Sequence, residues 1–233
     1  MIPNSKKEIV RVMFDEISPK YDFLNHLLSF GIDRSWRKKL VQILGEHDPK
    51  TILDVATGTG DLAIAISVLN PKKIVGIDIS EKMLSIGKQK ISQLGLESLI
   101  TLQNADAEKI PFSDHSFEAI TVAFGVRNFE DLRKGLSEMK RVLRPGGIIA
   151  ILEFSHPQTF PMKQMYRIYS RYGIPLIGKL ISNNDRAYRY LPDSVAAFPS
   201  GKDFLRILEE LKLKNVHGVG LSMGIATIYV AEK

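Results

Sequence analysis

Short β-rich runs alternate with amphipathic helical stretches from residue 51 onward, and this alternation constrains the fold more than any other feature of the sequence. The predicted strands are 51–56, 73–78, 99–103, 117–124, 147–153, 215–221 and 225–231. The predicted helices are 61–69, 81–94, 130–143 and one near 201–213. Such alternation implies a parallel sheet wound by right-handed crossovers, with ligands at the carboxyl ends of its strands. The short loop between the last two strands makes that pair antiparallel.

Two segments stand outside this alternation. Residues 5–47 read as two or three helices, the first of which ends at Ser18-Pro19. A basic, tyrosine-rich stretch, residues 157–190, follows the fifth predicted strand. We therefore predict an α/β fold: a mostly parallel sheet of seven strands with an antiparallel last strand, N-terminal helices and a helical insertion after strand 5. A single domain is expected over 1–233, with the parts 1–48, 49–155, 156–200 and 201–233.

Composition narrows the class of protein. The chain has 233 residues, a length that suits one domain. Cysteine is absent, which excludes disulfides, thiol catalysis and zinc sites with cysteine ligands. No metal site is predicted. Since no apolar run approaches the roughly 18 residues of a membrane-spanning helix, and charges near the N-terminus argue against a signal peptide, we expect a cytoplasmic protein.

A glycine turn follows the first predicted strand. Gly58-Thr59-Gly60, with Ala63 further on, fits the G-x-G-x-x-G/A pattern in which a strand turns tightly into a helix beneath a nucleotide. The pattern alone is compatible with a dinucleotide, or with a turn that serves only the chain's geometry. The strand, the helix and a downstream acid that accompany it favour a ligand site.

Two carboxylates decide between the candidate ligands. Asp54 lies just before the turn and Asp61 just after it, where the pyrophosphate of a dinucleotide would meet a helix N-terminus. Negative charge on both sides would oppose that pyrophosphate. S-adenosylmethionine has no phosphate and carries an ammonium and a sulfonium. The acids therefore favour S-adenosylmethionine as the cofactor.

Two further acids follow the second and third predicted strands. Asp78 stands about 20 residues past the first glycine, where an acid can accept from ribose hydroxyls; its alternative role is to cap the helix that begins near Ser80. Asp106 could accept from an adenine amino group and the Ala107 N–H could donate to a ring nitrogen, although an ordinary polar loop has the same residues. The predicted cofactor-binding residues are Asp54, Gly58, Thr59, Gly60, Asp78, Asp106 and Ala107.

Several long motifs carry a family resemblance. LDVATGTGDL, GIDISEKML, NADAEKIPF and RVLRPGGIIAILEF resemble successive motifs of class I S-adenosylmethionine-dependent methyltransferases. A narrower resemblance covers nearly the whole chain: MFDEISPKYDFLNHLLSFGIDRSWRK, AFGVRNFED, LEFSHP and YRYLPDSVAAFP are similar to motifs of the menaquinone/ubiquinone biosynthesis C-methyltransferases. It implies a Rossmann-like class I methyltransferase sheet in which 1–48 covers the cavity, 49–155 binds the cofactor and 156–200 forms an acceptor lid.

The same resemblance implies a reaction and a set of donor contacts. The reaction is C-methylation of a polyprenylated hydroquinone, first of all demethylmenaquinol to menaquinol; a ubiquinone-pathway benzoquinol or another small apolar acceptor is the alternative. The family's donor contacts match Thr59, Asp78 and Asp106-Ala107. Two positions depart from the pattern, because the family often has asparagine where Asp106 stands and some members have serine where Ala123 stands.

The acceptor chemistry suggests where the catalytic residues lie. A hydroquinone carbon becomes nucleophilic when a phenolic proton leaves, so the site must stabilise a phenolate. Arg127 and Asn128 follow the fourth predicted strand. Arginine cannot act as a neutral base, but it could stabilise the phenolate or hold a water, and the matching arginine is a proposed catalytic element of the family. A structural, ion-paired arginine is the alternative.

The N-terminal region supplies the third candidate. The resemblance implies that the region of Tyr21, Asp22 and Asn25 covers the cavity. The alternative is that Tyr21 faces the core and that its neighbours cap helices. We predict Arg127, Asn128 and Tyr21 as catalytic residues. Glu153 and His156 end the fifth predicted strand and could join proton transfer, but His156 is not expected to be the essential base.

Segment 157–190 suggests a partner. Lys163, Arg167 and Arg171 recur every four residues and would share one helix face, which suits an anionic membrane surface; a solvated helix with its tyrosines in the core is the alternative. We expect a polyprenylated quinol substrate, transient contact at the inner face of the membrane and no nucleic acid. Self-association is left open.

Three rival functions remain. An NAD-linked oxidoreductase would have to tolerate Asp61 at the phosphate site. An RNA or protein methyltransferase commonly has an Asn/Asp-Pro-Pro-aromatic loop where this chain has AFGVRN. The third rival is not an enzyme but a binding module on the same fold. The intact donor residues argue against it, because such a module would not need them.

Overall fold

One sheet organises the chain. The computed structural model describes residues 5–157, 160–168 and 185–233, and seven strands among them form the order β3-β2-β1-β4-β5-β7-β6. β7 runs antiparallel to both of its neighbours, and the other strands run parallel to one another. The strands are β1 Thr51–Val55, β2 Lys73–Asp78, β3 Ile100–Asn104, β4 Phe117–Ala123, β5 Leu143–Phe154, β6 Lys214–Leu221 and β7 Ala226–Glu232. The predicted mostly parallel sheet with an antiparallel last strand is confirmed.

Helices precede the sheet, join its strands and follow β5. They are α1 Lys6–Ile17, α2 Tyr21–Leu28, α3 Ile32–Gly45, α4 Asp61–Ile66, α5 Glu81–Gln93, α6 Leu132–Val142, α7 Met162–Ile168, α8 Asp185–Ala197 and α9 Lys202–Glu210. Side chains cap three of them, because Ser5, Ser80 and Asp131 each accept from the backbone N–H three residues on. Pro19 lies in the short 3₁₀ turn that separates α1 from α2, as the sequence predicted.

The two faces of the sheet bury different sets of apolar residues. On β1, Leu53 and Val55 pack on one face with side chains of α6 and α9, whereas Ile52 packs on the other with those of α3, α4 and α5. This alternation follows from the two-residue period of a strand. The helical layers leave the carboxyl ends of the strands open, and the ligand edge of the sheet lies there.

The ends of the elements differ from the sequence prediction where pairing overrides local pattern. β5 begins at Leu143 rather than 147, because Leu143 already pairs with Phe117; the register then shifts, and Ile148 pairs with Ala119. Residues 144–147, which contain two glycines, form that irregularity. Helix α4 ends at Ile66 and a 3₁₀ turn continues to Leu69, so the predicted helix 61–69 contains two kinds of helix.

The insertion after β5 contributes α7 and α8 in its described parts. The predicted basic face of Lys163, Arg167 and Arg171 falls partly outside the described residues, since neither the Arg167 side chain nor Arg171 belongs to them. In the described part of the chain, no helix is long and apolar enough to cross a membrane.

Candidate active site

A cavity lies at the carboxyl ends of β1 to β4. It encloses about 670 Å³, open solvent at its mouth included. Its lining includes Gly58, Asp78 and Asp106-Ala107 on one side, and Phe124, Asn128 and Phe129 on the other; Val10, Phe14 and Tyr21 close it from the N-terminal helices. The fold thus joins predicted cofactor residues and two predicted acceptor residues, Tyr21 and Asn128, in one space.

Unusual backbone conformations shape the floor of this cavity. Ala56 (φ 54°) follows β1 and Phe124 (φ 59°) follows β4, both in the left-handed region that side chains other than glycine's disfavour. Gly125 lets these two turns touch, because a Cβ there would lie 2.6 Å from the Cβ of Ala56. Strain of this kind clusters at ligand sites, and here it falls on two residues that line the cavity.

Asp78 connects the glycine turn to the end of β2. Its Oδ2 accepts from the Gly58 N–H at 2.9 Å, and its Oδ1 accepts from the Ser80 N–H at 2.9 Å. Burial raises the pKa of this carboxyl, and the two backbone donors oppose that rise. Ser80, not Asp78, supplies the side-chain cap of α5. The carboxylate is therefore held rigidly against the turn and has lone pairs left for hydroxyl donors in the cavity.

Asp54 and Thr59 lie behind the cavity wall. Asp54 is buried and accepts from Thr57 Oγ1 at 2.6 Å and Thr121 Oγ1 at 2.8 Å; burial raises its pKa to about 6, against those two hydrogen bonds. The Thr59 hydroxyl donates to Asp22 Oδ1 of α2 at 2.6 Å. Neither residue is part of the cavity lining. Gly60, in the left-handed region (φ 81°), is the N-cap residue of α4.

Two cations neutralise the charge of Asp61, which the sequence did not predict. Lys90 Nζ bonds its Oδ1, and Arg37 Nη2 lies 3.5 Å from its Oδ2. Lys90 also pairs with Asp22 at 2.9 Å. Because both cations come from other helices, the sequence pattern around the turn gave no sign of them. Repulsion by Asp61 alone therefore excludes a pyrophosphate less strongly than the sequence suggested.

The loop after β3 is braced by acids and by α1. Asp106 Oδ1 accepts from the Glu108 N–H at 2.9 Å, and Lys7 Nζ lies 2.6 Å from Asp106 Oδ2. Glu108, which is buried, accepts from the backbone of Glu130 at 2.9 Å and so ties this loop to the one after β4. Ala107 lines the cavity beside Asp106. Sequence reasoning missed both Lys7 and Glu108, whose partners lie far away in the chain.

The N-terminal helices are fastened over the cavity by polar contacts. Lys6 Nζ donates to the carbonyl oxygens of Arg127 at 3.1 Å and Phe129 at 2.6 Å, and Ser80 Oγ donates to Asp15 Oδ1 at 2.5 Å. Tyr21 begins α2 and meets Phe14 edge-on, with ring centroids 5.7 Å apart. Burial raises the pKa of Tyr21 and the charge of Arg127 lowers it, so this phenol keeps its proton at neutral pH. The N-terminal helices thus contribute part of the cavity wall.

Arg127 forms a buried ion pair with Glu153, at the end of β5. Arg127 Nη1 lies 2.9 Å from Glu153 Oε1, and side-chain exposure is 6% for the arginine and 0% for the acid. The guanidinium carbon lies 5.4 Å from the centroid of the Phe154 ring. Among the buried side-chain atoms of the described residues, Arg127 Nε has no hydrogen-bond partner. Arg127 stands one layer behind the cavity, whose wall is formed by the next residue, Asn128.

Asn128 also contacts the insertion. Tyr190 of α8 donates its hydroxyl to Asn128 Oδ1 at 3.0 Å, a partner that the sequence gave no means of pairing with residue 128. His156 Nε2 lies 3.2 Å from the carbonyl oxygen of Val195, also in α8. This contact joins the loop after β5 to α8.

Comparisons with known proteins agree with this fold. The model of the ubiE/COQ5 methyltransferase family matches residues 2–233. A demethylmenaquinone methyltransferase of Bacteroides fragilis is 50% identical over 229 residues, covering 98% of this chain and 94% of that protein. A ubiquinone/menaquinone biosynthesis C-methyltransferase UbiE of Geotalea daltonii is 48% identical, covering 98% and 97%.

Solved structures show the fold at lower identity. A SAM-dependent methyltransferase of Thermotoga maritima aligns with a TM-score of 0.64 at 17% identity, covering 94% of this chain and 98% of that one. A putative S-adenosyl-L-methionine-dependent methyltransferase of Methanococcus maripaludis aligns with a TM-score of 0.61 at 18% identity, covering 100% and 97%. With the family model spanning almost every residue, the chain belongs to the ubiE/COQ5 methyltransferase family.

Proposed function

We propose that this protein transfers a methyl group from S-adenosylmethionine to a ring carbon of a polyprenylated hydroquinone, converting demethylmenaquinol to menaquinol. The observation that carries the proposal is the single cavity, in which Asp78 and Asp106 lie on one side and Tyr21 and Asn128 on the other. The relative from Bacteroides fragilis, half identical over nearly its full length, bears the name of this activity.

The donor side fits S-adenosylmethionine by shape and by its hydrogen-bonding groups. Gly58 has φ 56°, and a Cβ there would lie 3.4 Å from Met83 Cε, so the turn presents bare backbone to a ligand. Asp78 would accept from the ribose hydroxyls, and Asp106 with the Ala107 N–H would meet the adenine edge. Asp22 and Asp61 lie close to the turn, but both pair with Lys90, so they add no free negative charge for the ammonium of the amino-acid end. When bound, S-adenosylmethionine supplies an electrophilic methyl group on its sulfonium.

The acceptor side fits an apolar ring that carries a developing negative charge. Phe14, Phe124 and Phe129 provide aromatic walls, and water is excluded where they close around the ring. Asn128 supplies an amide at the wall, and the Arg127 guanidinium behind it places fixed positive charge close by. That charge lowers the pKa of both Tyr21 and Tyr190, which burial raises. Fixed donors and charge of this kind stabilise a phenolate as it forms.

The chemistry therefore divides among this chain's residues. Loss of the phenolic proton to water would push electron density onto the adjacent ring carbon. As that carbon bonds to the methyl carbon, the S–CH₃ bond would break and the thioether S-adenosylhomocysteine would leave; the ring carbon would then give its hydrogen to water as a proton. Arg127 and Asn128 stabilise the oxyanion, and Tyr21 packs over the ring and offers a protonated hydroxyl. Alignment in the closed cavity supplies most of the acceleration, because holding both reactants in place removes the entropy cost of their encounter.

The test is incubation of purified protein with radiolabelled S-adenosylmethionine and a panel of acceptors: demethylmenaquinol, a demethyl benzoquinol with a matched prenyl tail, and bulk RNA. We expect label in the naphthoquinol. Label in the benzoquinol alone would assign the ubiquinone-pathway reaction, and label in RNA alone would overturn the proposal. Calorimetric titration with S-adenosylmethionine and with NADH separates an oxidoreductase, which would bind NADH.

We also propose that α7 makes transient contact with an anionic bilayer, the source of a prenylated acceptor. Phe160, just before α7, is 80% exposed, and Met165 and Ile168 are 58% and 62% exposed beside the exposed Lys163. Apolar side chains flanked by a cation suit the headgroup boundary of anionic lipids.

Sedimentation with vesicles tests this contact. We expect binding to phosphatidylglycerol-containing vesicles and much less to phosphatidylcholine alone. The variant Phe160→Ser/Ile168→Ser should lose that binding, whereas Val68→Ser, which removes an apolar side chain that is 70% exposed in the turn after α4, should keep it. Equal binding by both variants would exclude α7 as the contact.

A further inference from the structure

Asn128 has an amide whose orientation is fixed by its surroundings. Its Nδ2 lies 3.4 Å from the carbonyl oxygen of Phe124, and a carbonyl oxygen can only accept, so the NH₂ end of the amide must face Phe124. The Oδ1 end then faces α8, where Tyr190 donates to it at 3.0 Å. The Phe124 carbonyl oxygen selects this orientation of the side chain, and the Tyr190 hydroxyl, which can donate or accept, is compatible with it as a donor.

The NH₂ group of Asn128 can donate a further hydrogen bond on the cavity side. An amide nitrogen carries two hydrogens, and the contact with the Phe124 carbonyl oxygen is long for a hydrogen bond. Phe124 and Asn128 line the same wall. A second N–H is thus left for an acceptor's oxygen in the cavity.

We propose that Tyr190 is a positioning residue for the acceptor: its hydroxyl holds the Asn128 amide so that the NH₂ group donates to the quinol oxygen as that oxygen becomes a phenolate. The inference rests on the proposed function. Tyr190 is half-buried, and since burial raises the pKa of its phenol, the hydroxyl remains a donor over the working pH range. Without it, only the long contact with the Phe124 carbonyl oxygen would hold the amide, and a turned amide would present its carbonyl oxygen to the phenolate, which would repel it.

Because Tyr190 belongs to α8, this contact also joins the insertion to the reacting centre. Tyr190 reaches across 62 positions of the chain to Asn128, and α8 packs on both α1 and the turn at residues 126–128. The Asn128 NH₂ group is therefore held in position to donate to the quinol oxygen only while α8 is docked against that turn.

The test compares Tyr190→Phe with a matched control, Tyr229→Phe. Tyr229 of β7 is fully buried outside the cavity lining, and its hydroxyl accepts from the Gly201 N–H at 2.7 Å and also bonds the Thr227 side chain. We expect Tyr190→Phe to lower kcat on demethylmenaquinol roughly tenfold, the loss of one net hydrogen bond, with the Kd for S-adenosylmethionine unchanged. Tyr229→Phe should lower the melting temperature and leave kcat as in the wild type.

A pH profile separates positioning from mere support of the fold. If the aligned NH₂ group stabilises the phenolate, Tyr190→Phe raises the pKa of the bound quinol and moves the rising limb of kcat to higher pH. Asn128→Asp, which replaces the donor by an anion, should lower kcat about a hundredfold and shift that limb further, with a normal Kd for the donor.

The outcomes are distinguishable. If the wild type methylates demethylmenaquinol while Tyr190→Phe retains its kcat and pH profile, the role of Tyr190 is overturned and the proposed function stands. If the wild type methylates no quinol at all, the proposed function falls, and the role of Tyr190 with it. A Tyr190→Phe variant that loses only thermal stability also overturns the inference, because Tyr190 would then have the same purely structural role as Tyr229.

Discussion

The two halves of the cavity are built in different ways. The donor half comes from consecutive strand ends of one sheet: the turn after β1, Asp78 at the end of β2 and Asp106 after β3. The acceptor half is assembled from distant parts of the chain, with Tyr21 from α2, Asn128 from the turn after β4, Glu153 from β5 and Tyr190 from α8. The comparison teaches that a nucleotide site can be encoded locally, whereas the chemistry of the acceptor depends on tertiary docking.

The largest expected effect comes from breaking the buried pair of the acceptor half. Arg127→Met leaves the Glu153 carboxylate buried without its cation, so we expect a loss of about 3–5 kcal/mol in the free energy of unfolding. Turnover should fall about a hundredfold if the guanidinium also stabilises the phenolate. Denaturant unfolding and methyl-transfer kinetics measure the two effects.

The double variant Arg127→Met/Glu153→Leu separates them. Replacing both partners by apolar side chains should restore most of the stability but not the turnover. A double variant with wild-type turnover would make Arg127 a structural residue, and the acceptor half would then lack its proposed cation.

In the donor half, Asp78→Ala should weaken S-adenosylmethionine binding by about 10- to 100-fold, the worth of charge-assisted hydrogen bonds at about 1.5–3 kcal/mol. Turnover at saturating donor should change much less, because Asp78 does not face the acceptor wall. Isothermal titration checks the affinity. An unchanged Kd would show that Asp78 does not bind the donor, and the contrast between the two halves would then be weaker.

Asp54 makes the donor half sensitive to pH. Burial raises its pKa from 3.8 to about 6 in the folded protein, so the native state binds this proton more tightly than the unfolded chain does. The stability that Asp54 contributes is fully present below pH 3.8 and is lost as pH rises through about 6. Against Asp54→Asn, the wild type should therefore lose about 2 kcal/mol between pH 4 and pH 7. A difference that is flat or rises with pH would contradict this assignment.

The smallest effect is expected where α1 meets the donor half. The pair between Lys7 and Asp106 is about one-third exposed, so Lys7→Met should cost less than about 1 kcal/mol of donor affinity. The change should appear mainly as faster dissociation of S-adenosylmethionine in stopped-flow experiments. Lys38→Met, an exposed lysine of α3, serves as the control. Equal rates for both variants would show that α1 does not retain the donor.

The same division explains what the sequence could predict. The alternation of strands with helices and the donor motifs follow from short-range patterns, so Gly58, Asp78 and Asp106 were predicted in the part of the chain that lines the cavity. The start of β5 was missed because pairing with Phe117, not local propensity, sets it. The neutralisation of Asp61 by Lys90 and Arg37, and the contacts of Glu153 and Tyr190, depend on side chains brought together only by folding. No periodicity or spacing in the chain reports such pairs.

Two adjacent lysines attach α1 to both halves of the cavity. Lys6 donates to the carbonyl oxygens of residues 127 and 129, while Lys7 pairs with Asp106. Departure of this one helix would thus uncover the nucleoside and the ring together, so spent donor and methylated product would share an exit. We expect their release to limit steady-state turnover, which a pre-steady-state burst of methylated quinol in rapid-quench experiments would reveal.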